Sequence, residues 1–204
     1  MGEKVDKQVL NLRSNRKLIF MENERQCVIP LHKPSYKELI FFFISGILIS
    51  FPFALVFEQL SSVVSLALTI VILGPFIEEL AKVFPLFYRH GETEKSIVTL
   101  GLLIGLAFGI TELVLYVLLA GQSILVRLPG LIFHSSWAAI TAYGIAKKNP
   151  WPFYMIAVTL HVTINFFALE TLPLGFFIEI IVLVVAYLLA WRFYHQASKE
   201  KIVV

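Results

Sequence analysis

Six apolar blocks dominate the chain, at roughly 36–57, 61–88, 96–120, 124–146, 151–169 and 173–194. Each approaches or exceeds the ~20 residues that a helix needs to cross a ~30 Å hydrocarbon core. Strands are excluded as spanning elements, because an open sheet edge in lipid would leave backbone groups unpaired. The expected fold is therefore an all-α membrane protein, a bundle of six transmembrane helices. Composition points the same way. Hydrophobic residues make up 58% of the 204 and charged residues only 15%, where a soluble domain carries about 25% charge. With a mean hydropathy of +0.81, the apolar excess outgrows any single globular core of this size and is accommodated by lipid.

Punctuation between the blocks is local. Pro34 precedes the first and Glu58-Gln59 is read as its end. A charged loop from Arg89 to Lys95 follows the second, Lys147-Lys148-Asn149-Pro150 closes the fourth, and Glu170 with Pro173 separates the last two. Pro75 and Pro85 fall inside the second block and should distort that helix. Cytoplasmic loops carry the Lys and Arg excess of a membrane protein. Lys4, Lys7, Arg13, Arg16, Lys17, Arg25, Lys33 and Lys37 lie on the N-terminal side. Arg89, Lys95, Lys147, Lys148, Arg192, Lys199 and Lys201 return to it, while Arg127 alone lies opposite. Both termini are thus expected in the cytoplasm.

The domain reading is a polar, basic N-terminal segment over 1–35, a transmembrane catalytic domain over 36–194 and a cytoplasmic tail over 195–204. Basic residues that flank apolar blocks suit lipid headgroups and not a nucleic-acid backbone. Cys27 is the single cysteine, which excludes an internal disulfide and a multi-cysteine metal site. No cleavable signal peptide is expected, because the first apolar block follows a long charged stretch.

Against this background the buried polar residues stand out. Glu78, Glu79 and Lys82 fall in the second block, Glu112 in the third, His134 in the fourth, and His161 with Asn165 in the fifth. An ionisable residue inside a bilayer costs a few kcal/mol and usually faces the bundle interior or a water-filled cavity. Four consecutive helices contribute such residues in a central slab, with Glu112 and Asn165 displaced outward, and they share one chamber if their faces converge. Spacing assigns faces: Glu78 and Lys82 share a helical stripe, as do His161 and Asn165, and Phe108 and Glu112. Glu79 points about 100° away from Glu78, so the adjacent glutamates can have separate jobs, one in the cavity and one orienting a neighbouring helix.

These residue types suit hydrolysis. A desolvated glutamate can serve as general base near neutral pH, and histidine and asparagine donors can stabilise an oxyanion. Equally, His134, His161, Glu78 and Glu112 could hold a divalent metal such as zinc that activates water. The helical zinc motif His-Glu-x-x-His is absent, and sequence leaves metal and metal-free chemistry both open. A transporter or proton-relay protein is the rival class, since carboxylate and histidine chains also carry ions. It would favour repeated halves with matching broken helices, and no internal repeat is evident.

Four motifs carry a resemblance: Glu78-Glu79-x-x-Lys82, Phe108-x-x-x-Glu112, His134 within Phe-His-Ser-Ser-Trp-Ala-Ala-Ile-Thr-Ala-Tyr-Gly, and His161-x-x-x-Asn165. In order and placement, from about residue 70 to 166, the chain resembles the PrsW family of membrane proteases. More distantly it resembles the CAAX-protease and bacteriocin-processing superfamily. The resemblance implies an intramembrane endopeptidase in the inner membrane of a prokaryote. Its substrate would be a single-span membrane protein of the anti-sigma-factor class, cut outside the cytoplasmic face. Carried over, Glu78 is the base, Glu112 and His134 position water, and His161 with Asn165 form the oxyanion site. Two departures bear on metal use: Lys82 stands where the prenyl-protein branch has an arginine one residue further on, and Glu112 where it has a histidine.

Overall fold

The structure is a computed structural model that describes residues 18–20, 28–30, 32–88, 92–168 and 173–203. Six helical rods succeed one another among these residues. α1 spans Tyr36–Ser62. α2 covers 66–83 and continues into a 3-10 turn at Phe84–Tyr88. α3 is Glu94–Leu118 and α4 is Ile124–Ala146. α5 is Pro150–Phe167 and α6 is Pro173–Gln196. Two three-residue strands, β1 (Leu18–Phe20) and β2 (Val28–Pro30), pair antiparallel ahead of the bundle, where the sequence suggested no regular element.

α1, α3, α4 and α6 are long and apolar enough to cross a membrane, so the protein is a multi-pass membrane protein. The other two rods are diluted by the residues that drew attention in the sequence. α2 carries Glu78, Glu79 and Lys82 within its last turns, and α5 carries His161 and Asn165.

One expectation is corrected here. Glu58-Gln59 does not end the first helix, which runs on to Ser62. A charge terminates a span when it must leave lipid, but Glu58 faces an internal cavity and the helix has no need to stop.

α1 and α2 share a peculiarity. Each contains a π-turn, Gly46–Ser50 and Thr69–Leu73, and in each a proline, Pro52 or Pro75, stands two positions after the π-turn ends. A proline in a helix supplies no N–H and clashes with the carbonyl four residues back. Widening the preceding turn relieves the clash. Pro85 lies in the 3-10 turn that ends the second rod, so both prolines flagged in that block distort it.

The centre of the bundle is the α3–α4 pair. Gly101, Gly105 and Gly109 recur every fourth residue along one face of α3, a pattern the sequence reading passed over. A Cβ on Gly105 would collide with the His134 carbonyl and lie 2.7 Å from Ala138 Cβ, and one on Gly101 would collide with Ala142. In lipid, where apolar association alone gives helices little reason to pair, such small-residue faces let backbones approach and dispersion act. The close approach also fixes where Glu112 and His134 lie relative to each other.

One end of the bundle is tied by a clasp. The Glu94 side chain is fully buried; it accepts from Lys147 Nζ at 2.6 Å and from the Ser198 backbone N–H at 2.9 Å, with Lys201 Nζ at 3.4 Å. Backbone bonds from Glu94 to Lys201, Lys95 to Ser198 and Val203 to Glu92 seat the segment after α6 beside the start of α3. His32 pairs with Glu92 in a bridge, so both flanks of the bundle meet at this end.

Candidate active site

The central residue is a glutamate with one carboxylate oxygen on each of two partners. Glu112 of α3 contacts His134 Nε2 through Oε2 and Arg127 Nη2, at 3.5 Å, through Oε1. His134 is nearly buried, and its Nδ1 lies 3.9 Å from Glu78 Oε2 on α2. Ligand atoms of Glu78, Glu112 and His134 all lie within 4.8 Å of one another. The structure thus brings together three of the residues singled out in sequence, from three helices.

Glu79 turns the other way and is fully buried. Its Oε1 accepts from Lys82 Nζ at 2.7 Å and meets His161 Nδ1 at 2.9 Å. Lys82, equally buried, also reaches Glu78 at 3.3 Å and lies 4.6 Å above the Phe108 ring. Phe108 is therefore part of the wall around the cation. A carboxylate bonded to one ring nitrogen of a histidine fixes the ring and directs the other nitrogen. The His161 ring is further held by Trp137, stacked at 4.3 Å between centroids.

His161 and Asn165, though one turn apart, are not joined at one point. While His161 engages Glu79, Asn165 Nδ2 donates to the Ile70 carbonyl at 2.9 Å. The π-turn explains why that carbonyl needs a donor. Gly74 N–H goes to Thr69, and Pro75, next in the widened register, has no N–H to offer Ile70. Asn165→Ala is expected to cost about 1–3 kcal/mol, the penalty of an unsatisfied carbonyl. In a Pro75→Ala background, which restores the backbone donor, the loss should shrink by at least half. Unfolding of the four proteins in detergent measures this, and equal losses in both backgrounds would sink the explanation.

Three cavities of about 340, 230 and 370 Å³ surround the cluster, and Glu112 lines all of them. The first, between α1, α2 and α5, has Glu58, Glu78, His161 and Asn165 in its wall. The second, between α1 and α3, is walled by Phe51, Ala54, Leu55, Leu115 and Leu119 and has Glu58, Glu78 and Glu112 on it as well. The third lies among α3–α6 and includes Arg127, Trp137 and Glu179.

Sequence reasoning missed Glu58, Arg127 and Trp137 as site residues. Glu58 was taken for a boundary and Arg127 for a lone outer-loop charge, and Trp137 entered only as part of the run around His134. A signal for Glu58 was its place a single residue past an apolar run that in fact continues. No signal fixed the other two without the fold.

A family described as PrsW family intramembrane metalloprotease matches residues 34–191. The chain belongs to the PrsW family. No curated protein and no solved structure matches it. Membership agrees with the resemblance read from the four motifs, and the matched span covers all six helices except the last turns of α6.

The PrsW description implies a metal, and the residues present fit one. Glu78, Glu112 and His134 supply two carboxylates and an imidazole, donors used at catalytic zinc. His134 Nδ1 is buried without a hydrogen-bond partner, an arrangement that is costly unless something else satisfies it, and the nearest oxygen, Glu78 Oε2 at 3.9 Å, already faces Lys82.

Proposed function

We propose that this chain is an intramembrane endopeptidase that hydrolyses a single-span membrane protein of the anti-sigma-factor class, in the inner membrane of a prokaryote. The observation that carries the reading is the meeting of Glu78, Glu112 and His134, two of which, Glu78 and Glu112, also line a largely apolar groove between α1 and α3. Six spans with both ends in the cytoplasm follow from the Lys and Arg excess at the end of the bundle that carries the clasp. The substrate span lies in the α1–α3 groove, and its unwound end reaches the cluster.

Glu78, Glu112 and His134 would hold the divalent ion. When bound, such an ion polarises a carbonyl and acidifies water. The chain's own groups supply the remaining chemistry. The carboxylate oxygen of Glu78 that is not turned to the ion accepts the proton of the attacking water and passes it to the leaving amine as the C–N bond breaks. Glu112 and His134 fix the position of that water. His161, steadied by Glu79 and Trp137, offers its free nitrogen to the oxyanion, and Asn165 secures the α2 wall against α5.

The test is cleavage of a tagged single-span anti-sigma-type reporter reconstituted with the full chain in liposomes, with and without chelator. Cleavage lost with chelator and restored by Zn²⁺ is the expected result. Cleavage indifferent to chelator would remove the ion from the scheme. An inert protein that instead conducts ions across the liposome would favour the transporter reading.

A further inference from the structure

Glu58 has no place in the four motifs, yet it comes from α1 into the same cluster. Its carboxyl lies against that of Glu78 and within electrostatic reach of Lys82 and Glu112. Its Oε1 is buried without a hydrogen-bond partner. Glu58 shares two cavity walls with Glu78 and Glu112.

Charge makes this placement informative. Glu58, Glu78, Glu79 and Glu112 are four carboxylates, and Lys82 and Arg127 are the two fixed cations in contact with them. The excess is two negative charges, the charge of one divalent ion. Two adjacent carboxylates in a low-dielectric site cannot both stay ionised without a proton or a cation between them. A proton shared by Glu58 and Glu78 would leave His134 Nδ1, nearly buried and aimed at Glu78 Oε2, still unpartnered. A cation satisfies all three groups.

Resting on the metal reading above, we propose that Glu58 is a fourth residue of the cation site and its third carboxylate, supplied by α1 from outside the motifs, and that it sets the affinity for a divalent metal. It acts as a ligand or as the charge that completes the site beside Glu78.

The experiment uses the purified full chain in detergent, with Zn²⁺ affinity read by competition against a chromophoric chelator and Co²⁺ binding read by visible absorption. Glu58→Gln is expected to weaken Zn²⁺ binding by about 10- to 100-fold and to perturb the Co²⁺ spectrum, without lowering the melting temperature of the metal-free protein. Glu58→Asp should recover part of the affinity, and Glu38→Gln, in the first turn of α1 and outside all three cavities, should match wild type. Wild-type affinity in Glu58→Gln would overturn the inference and leave the three-residue site standing. If wild type binds Zn²⁺ no tighter than a Glu78→Gln/His134→Ala variant, the cluster holds no ion and the inference falls with it. Equal losses in Glu58→Gln and Glu58→Asp, accompanied by a lower metal-free melting temperature, would assign Glu58 a purely structural role and also overturn it.

Discussion

Glu78→Gln is expected to lower reporter cleavage by about 10³-fold or more, in the upper part of the range for loss of a general base. The amide keeps the shape and can still bond, but it cannot take a proton from water and is a poor metal ligand. Glu79→Gln should behave differently. Glu79 is buried, lines none of the three cavities and touches only Lys82 and His161 among the hydrogen-bonding groups around it. Its loss should therefore act through the orientation of His161, reducing the rate by about 10- to 100-fold. Single-turnover cleavage in proteoliposomes separates the two variants. A Glu78→Gln protein within tenfold of wild type would shift the role of base to Glu79.

Removing the cation from the buried ion cluster should be the largest effect on stability. Lys82→Met preserves length and apolar contact with Phe108 but leaves Glu79 with His161 as its one polar partner. Breaking one side of a buried pair costs about 3–5 kcal/mol, because the remaining charge is uncompensated. The double variant Glu79→Gln/Lys82→Met should recover part of that loss, since the fully buried charge at Glu79 is gone and only Glu78, on a cavity wall, still lacks the cation. Reversible unfolding in mixed micelles would check both. A loss under 1 kcal/mol in Lys82→Met would mean that water, and not Lys82, compensates Glu79.

Much of the architecture could be read from the chain because lipid imposes a length and a polarity on each rod. The six apolar blocks coincide with the six helices to within a few residues, apart from the start of α2 and the end of α1. Those two misses share a physical cause. Where a helix lines a polar cavity, charge no longer marks its end, so α1 runs past Glu58 to Ser62 and α2 starts correspondingly later, at Leu66. The site was legible wherever an ionisable residue interrupted a span, as with Glu78, Glu112 and His134. It was illegible where the residue sat at a span's edge, as with Glu58 and Arg127, or was an aromatic among many, as with Trp137. The opposed directions of Glu78 and Glu79 follow from helix geometry alone. The separate engagements of His161 and Asn165 do not, since the bare Ile70 carbonyl exists only because a π-turn and Pro75 coincide.

The Glu94 clasp also carries a consequence for biosynthesis. Glu94 opens α3, but Lys147 is 53 residues later and the Ser198 backbone donor 104 residues later. While those later segments are still inside the ribosome and the insertion machinery, the carboxylate must stay hydrated at the membrane surface, because entering the protein alone would strand its charge. This end of the bundle therefore closes only after α6 has been threaded and its following residues released. Arrival of the segment after α6, and not insertion of any single earlier helix, is the event that locks this end shut.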